Sequence, residues 1–230
     1  MSSKGFDFKE HFCMTLAAPR ASGKSYFIRE FLKSHHAKRF DHIIIMCPSL
    51  DLNNDYDGFE DDARYKLISN PDTEIIGDLF HKQENIKKAC KASSGGYEQR
   101  CPDTLLILDD CIGTGALRFR GETDDYATRG RHVNISLIIA VQKITSCSPV
   151  IRDNSDYFII FCPYSVSELE RFVEMFVQKN KRNDLYKKLR DIFDIPFQFI
   201  MVDNTIKNIR HKLKHSDAES LIKHGMYENL

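Results

Sequence analysis

No net charge, no long apolar run, no CxxC pair and no internal repeat occur in this 230-residue chain. The balance of 33 Lys and Arg against 33 Asp and Glu excludes a polyelectrolyte, so any surface for nucleic acid must be local. The want of about 18 consecutive apolar residues excludes an ordinary membrane span. The opening MSSKGFDFKEHF likewise lacks the apolar core of a secretory signal. The seven cysteines are an odd number, and several stand inside apolar runs where a free thiol packs as a small hydrophobe. A reducing, intracellular setting without zinc is expected.

What is present is the composition of an ordinary globular domain, 42% hydrophobic and 29% charged. Apolar runs of strand length recur at His11 to Ala18, His42 to Cys47, Thr104 to Leu108, Ile135 to Val141, Tyr157 to Phe161 and Phe197 to Val202. Their near-continuous hydrophobicity predicts strands buried on both faces, as in a mainly parallel sheet flanked by helices. Phe27, Phe31 and Leu32 fall at helical spacing and predict a helix from about Lys24. A weaker helical pattern covers Asp78 to Lys91. In SVSELERFVEMFVQ, Ser165 or Ser167 is placed to cap a helix whose apolar face carries Leu169, Phe172, Val173 and Phe176. Between the second and third runs, residues 51–102 form an acidic then turn-rich insertion (DLNNDYDGFEDD to ASSGGYEQRCP), without the spacing of a calcium loop. One α/β domain over residues 1–205 is expected, followed by a polar, basic tail over 206–230.

The first run leads into Ala18-Pro19-Arg20-Ala21-Ser22-Gly23-Lys24-Ser25, which matches the phosphate-binding pattern G-x-x-x-x-G-K-[ST] at every position but the first. The order strand, loop, helix is what the chemistry needs. Backbone N–H groups converge on phosphate oxygens at a helix N-terminus, Gly23 admits close approach, Lys24 reaches the β- and γ-phosphates, and the Ser25 hydroxyl can ligate magnesium. A bare GKS at a strand-to-helix turn is often accidental, but here the context agrees. The run LLILDD then places Asp109 and Asp110 at the end of a buried strand, Asp109 for the magnesium shell and Asp110 to polarise the attacking water. Gln142 ends the next strand and can orient water or sense the γ-phosphate.

The blocks APRASGKS, LLILDD, RHVNISLIIAVQ and IRDNSDYFIIF, in that order over about residues 11 to 162, resemble the FtsK/HerA superfamily of DNA-pumping ATPases. Within it the chain is most similar to the poxvirus-type packaging ATPases of large DNA viruses, virophages and related elements. The resemblance implies a RecA/FtsK-like P-loop NTPase fold, ATP and Mg²⁺ as cofactors, and translocation of double-stranded DNA into a capsid by a homo-oligomeric ring, hexameric or pentameric. It makes Arg131 a trans-acting arginine finger and Arg152 a second phosphate- or interface-facing arginine. Ala18 in place of Gly, and Asp110 where cellular relatives often carry Glu, depart from the pattern. About ten residues precede the first strand, which implies a motor without a membrane anchor, docking on capsid or portal-vertex proteins in infected-cell cytoplasm, a viral factory or the virion. Arg118 and Arg120, after the acidic strand end, are the candidates for touching DNA phosphates. The rivals are a non-packaging motor of the same superfamily and a nucleotide-dependent switch that binds ATP without pumping.

Overall fold

The computed structural model describes residues 6–92, 100–117, 121–162, 165–176, 182–206 and 213–230, the side chains at 183 and 184 excepted. Its strands are β1 (Cys13–Ala17), β2 (His42–Met46), β3 (Tyr65–Ile68), β4 (Thr104–Asp109), β5 (Ile135–Val141), β6 (Tyr157–Phe161), β7 (Phe199–Asp203), β8 (Leu213–Ser216) and β9 (Glu228–Asn229). The helices are α1 (Lys24–Lys33), α2 (Thr73–Ala92), α3 (Glu122–Arg129), α4 (Pro149–Asn154), α5 (Val166–Phe176), α6 (Arg182–Phe193) and α7 (Ala218–His224). The strands form one sheet in the order β3-β2-β4-β5-β1-β6-β7-β8-β9. From β3 to β6 every pairing is parallel, and from β6 onward every pairing is antiparallel.

The central strands read as unbroken apolar runs because both of their faces are covered. Met14 and Leu16 of β1, with Leu105 and Ile107 of β4, point into the layer that contains Phe27 and Phe31 of α1 and Leu221 of α7. Their neighbours Cys13, Ala17, Leu106 and Leu108 point the other way, toward α2, α3, α5 and α6. Helix α1 keeps Phe27, Ile28, Phe31 and Leu32 on its buried face, each contributing about 1.5–3 kcal/mol when fully removed from water. The helix ends at Ser34, whose hydroxyl donates to the Phe31 carbonyl at 2.6 Å. As expected, the Ser165 hydroxyl caps the start of α5, accepting from the Glu168 backbone N–H at 3.3 Å.

Two regions differ from expectation. The insertion at 51–102 contributes β3, the outermost parallel strand, and an α2 that begins five residues ahead of the expected helix and ends beyond it. β3 is only half-buried, so its YKLI lacks the continuous apolar signature of an inner strand. Residues 213–230, expected as a tail, extend the sheet with β8 and β9 and bury α7 against α1. Polar residues hide this strand from hydrophobic pattern reading. The inward positions of β8 are Lys214 and Ser216, and Lys214 Nζ donates to Asp203 Oδ2 at 2.8 Å in a buried ion pair.

Candidate nucleotide-binding site

β1 lies between β5 and β6, and β4 lies beyond β5. The sheet is parallel here, so the loop leaving β1 sits beside the carboxyl ends of β4 and β5, where α/β folds hold ligands. The register fixes this closely: Ala17 pairs with Val141, and Asp109 with Ala140. Three separated sequence blocks therefore meet at one edge.

The loop from Ala18 to Gly23 makes its turn at Ala21 (φ 57°) and Gly23 (φ 106°), both left-handed. Gly23 is required on two counts. Its φ disfavours any side chain, and a Cβ there would lie 3.3 Å from Phe161 Cε1 and 3.4 Å from Phe197 Cδ1. Ala18, by contrast, has no positive φ. It is buried, and its N–H donates to the Val141 carbonyl at 3.0 Å, so the methyl group is accommodated where the motif usually has Gly. Gly23 also offers no side-chain cap to α1, which leaves the first helical N–H groups for an anion.

Lys24 is buried and folds back over the loop, donating to the Ala18 carbonyl at 3.0 Å and the Pro19 carbonyl at 3.1 Å. Ser22 braces the same turn through its hydroxyl to the Pro19 carbonyl at 2.6 Å. Arg20 is exposed. The Ser25 hydroxyl faces Asp109 Oδ2 at 3.4 Å, a separation at which the pair is barely bonded. A hydroxyl and a carboxylate so placed are the hard oxygen donors that magnesium takes, so Ser25 and Asp109 fit that ion. Asp110 has φ 53° and accepts from Gln142 Nε2 at 2.9 Å through Oδ1 and 3.3 Å through Oδ2. Gln142 thus holds one face of the Asp110 carboxylate.

Two residues of this site were not anticipated. Tyr56, fully buried, donates its hydroxyl to Asp109 Oδ2 at 2.7 Å. Burial raises the Asp109 pKa, while the Tyr56 bond and the Lys24 charge oppose the rise. Burial and the Asp109 charge in turn raise Tyr56, which stays a donor. Glu168, in the first turn of α5, closes a cleft shared with Ala18, Pro19 and Gln142 and accepts from the Ile144 N–H at 3.3 Å. Tyr56 sits in the acidic part of the insertion expected over residues 51–102. It lies between β2 and β3, strands that do not neighbour β1, so nothing local to it signalled the contact.

The arginines lie apart from this cluster. Arg131 is exposed on the 3-10 turn Gly130–Val133 ahead of β5. The seven residues of β5 separate it from Gln142 by roughly 20 Å at about 3.3 Å per residue. Arg152, half-buried in α4, donates to the Cys147 carbonyl at 3.2 Å. Arg118 and Arg120 lie outside the described residues.

A parallel sheet with a glycine-lysine-serine loop after its central strand and an acidic strand end two strands away defines the class of P-loop nucleoside triphosphatases. Residues 6–223 match the family model described as Poxvirus A32 protein, and the chain belongs to that family. The motif-based resemblance to poxvirus-type ATPases is borne out at this level. The chain is 24% identical over 150 residues to protein L437 of Acanthamoeba polyphaga mimivirus, covering 64% of this chain and 51% of that one. It is 25% identical over 188 residues to protein 015R of Frog virus 3 (isolate Goorha), covering 80% and 54%. It therefore spans about half the length of these curated relatives. Among solved structures it is similar to the genome packaging NTPase B204 of Sulfolobus turreted icosahedral virus 2 in complex with ATP-gammaS. That match has a TM-score of 0.61 and 18% identity, and covers 91% of this chain and 98% of that chain.

Proposed function

We propose that the protein is an ATPase that drives double-stranded DNA into a viral capsid, hydrolysing ATP between neighbouring subunits of a ring. The observation that carries this reading is the convergence of Lys24, Ser25, Asp109, Asp110 and Gln142 at the carboxyl ends of β1, β4 and β5, with Arg131 at the opposite end of β5. The match to a packaging NTPase fold, captured with an ATP analogue, supports it.

In this reading Pro19 to Ser25 wrap the phosphates, and Lys24 exchanges two carbonyl partners for charge-assisted bonds to phosphate oxygens. Magnesium, held by Ser25 and Asp109, would supply charge neutralisation along the β- and γ-phosphates. Asp110, oriented by Gln142, accepts the proton of the water whose oxygen bonds to the γ-phosphorus as the bond to the bridging oxygen breaks. Arg131 is too far from its own site to act there, so it stabilises the developing charge in a neighbour's site. Arg152 faces the same interface. Arg118 and Arg120, in the sequence between β4 and α3, contact the DNA backbone.

The test is steady-state ATP hydrolysis with and without double-stranded DNA, with Arg131→Ala subunits titrated into wild type. DNA-stimulated turnover that falls faster than the wild-type fraction is expected. Loss merely in proportion to that fraction would remove the coupling between subunits, and failure of mixed Arg131→Ala and Lys24→Ala subunits to regain turnover would remove the finger in trans. ATP binding without turnover, with or without DNA, would favour a nucleotide-dependent switch.

A further inference from the structure

Phosphates on the loop from Pro19 to Ser25 leave two sides for the rest of a nucleotide. The side toward β5 and β4 is taken by Gln142, Asp110 and Asp109, where the reacting γ-phosphate and water belong. The nucleoside therefore extends the other way, past β6 and β7. There, β7 runs antiparallel to β6 with Phe199 opposite Phe161, and Ile160 pairs with Ala17 at the foot of the loop. The turn that enters β7, residues 194–198, consequently lands against the phosphate loop.

Phe197 is the outstanding residue of that turn. It is 60% exposed, it has φ 64°, and its ring lies beside Gly23, with Cδ1 3.4 Å from where a Cβ would stand. A bulky side chain in the left-handed region is strained, and an exposed phenyl ring recovers little by packing. The turn does not yield to relieve the strain. Ile195 N–H donates to the Ile192 carbonyl at 3.1 Å, Asp194 N–H to the Arg190 carbonyl at 3.0 Å, and the Gln198 side chain bonds the Asp217 carboxylate that caps α7. A rigid, solvent-facing aromatic ring at the helix end of a phosphate loop is what a planar heteroaromatic ring stacks on.

We infer that Phe197 is the stacking platform for the nucleobase of the bound nucleotide. The inference rests on the nucleotide reading above and adds the residue that distinguishes a nucleoside triphosphate from bare polyphosphate.

The chain contains no tryptophan, so Phe197→Trp introduces a single indole reporter at the site. Calorimetry with magnesium ATP and with magnesium tripolyphosphate is run on wild type, Phe197→Ala and Phe197→Trp. Phe197→Ala is expected to weaken ATP roughly tenfold, the scale of one lost base stack, and to leave tripolyphosphate unchanged. Phe197→Trp is expected to keep ATP affinity, with its emission quenched by ATP and not by tripolyphosphate. Unchanged ATP affinity in Phe197→Ala, or equal loss of both ligands, would overturn the stacking role, the latter assigning Phe197 to loop support. Wild type that binds neither ligand would overturn the nucleotide reading itself, an outcome distinct from either of these.

Discussion

Tyr56→Phe removes one oxygen atom and nothing else from the core. The lost hydroxyl donates at 2.7 Å to Asp109 Oδ2, on a side chain 4% exposed whose other described contact at that oxygen is Ser25 at 3.4 Å. A hydrogen bond to a charged, buried partner is worth about 1.5–3 kcal/mol, because the carboxylate left behind is shut off from water. Loss of about 2 kcal/mol lowers the melting temperature of a chain this long by roughly 4–8 °C. The pH dependence has a definite sign. Burial raises the Asp109 pKa, so the carboxylate is ionised in the folded state only above that raised value. The penalty is therefore full above that raised value and fades as pH falls through it and Asp109 protonates. Urea unfolding of wild type, Tyr56→Phe, Asp109→Asn and the double variant closes a thermodynamic cycle without added metal or nucleotide. Coupling of about 1–2 kcal/mol is expected for residues in direct contact. A single-variant cost below about 0.5 kcal/mol, or additive effects, would refute the reasoning.

Lys24→Ala is expected to abolish ATP binding in equilibrium titration while the far-ultraviolet circular dichroism stays that of wild type; retained affinity would remove the phosphate-loop assignment. Burial pushes the Cys13 and Cys147 thiols up to about 12, so both stay protonated at pH 8. In native protein iodoacetamide should modify exposed Cys162 and half-exposed Cys90 before the five buried cysteines, as peptide mass spectrometry would read. His36 is buried beside Phe8 and Phe31, and burial together with the neighbouring His35 lowers its pKa from 6.5 to about 4, against the pull of Asp7. The unfolded chain thus binds a proton in this window that the folded chain does not, and stability falls as pH drops from about 6.5 toward 4. The urea midpoint should be lower at pH 5 than at pH 7, and His36→Phe should flatten that difference; an equal slope in the variant would exonerate His36.

The parts of this molecule that local physics dictates were legible in the sequence. β1, β2, β4, β5 and β6 are buried on both faces, so apolar continuity alone marks them within a residue or two. The phosphate loop is contiguous and its geometry depends on Gly23, so it too can be read along the chain. What escaped is held by long-range or polar contacts. β3 is a half-exposed edge, and β8 turns Lys214 inward against Asp203, inverting the usual sign of burial. Tyr56 reaches Asp109 across 53 positions, and Phe197 reaches Gly23 only because β7 reverses direction beside β6. No periodicity in one segment encodes such meetings.

The polarity of β5 has a consequence for assembly. Its carboxyl end delivers Gln142 to the phosphate loop, while its amino end displays Arg131. One rigid strand thus fixes a nucleotide-facing residue and the proposed finger at opposite ends of the subunit. A twofold axis across β5 would set each amino end against the other copy's carboxyl end, so a closed dimer could serve both sites. A head-to-tail contact, with one subunit's amino-end surface against the next subunit's carboxyl-end surface, instead propagates until the rotation closes, and closure gives a ring. The finger assignment is met by either arrangement, and the proposed function takes the second. A stable twofold dimer with full DNA-stimulated turnover would show that the ring, rather than the finger or the fold, is in error.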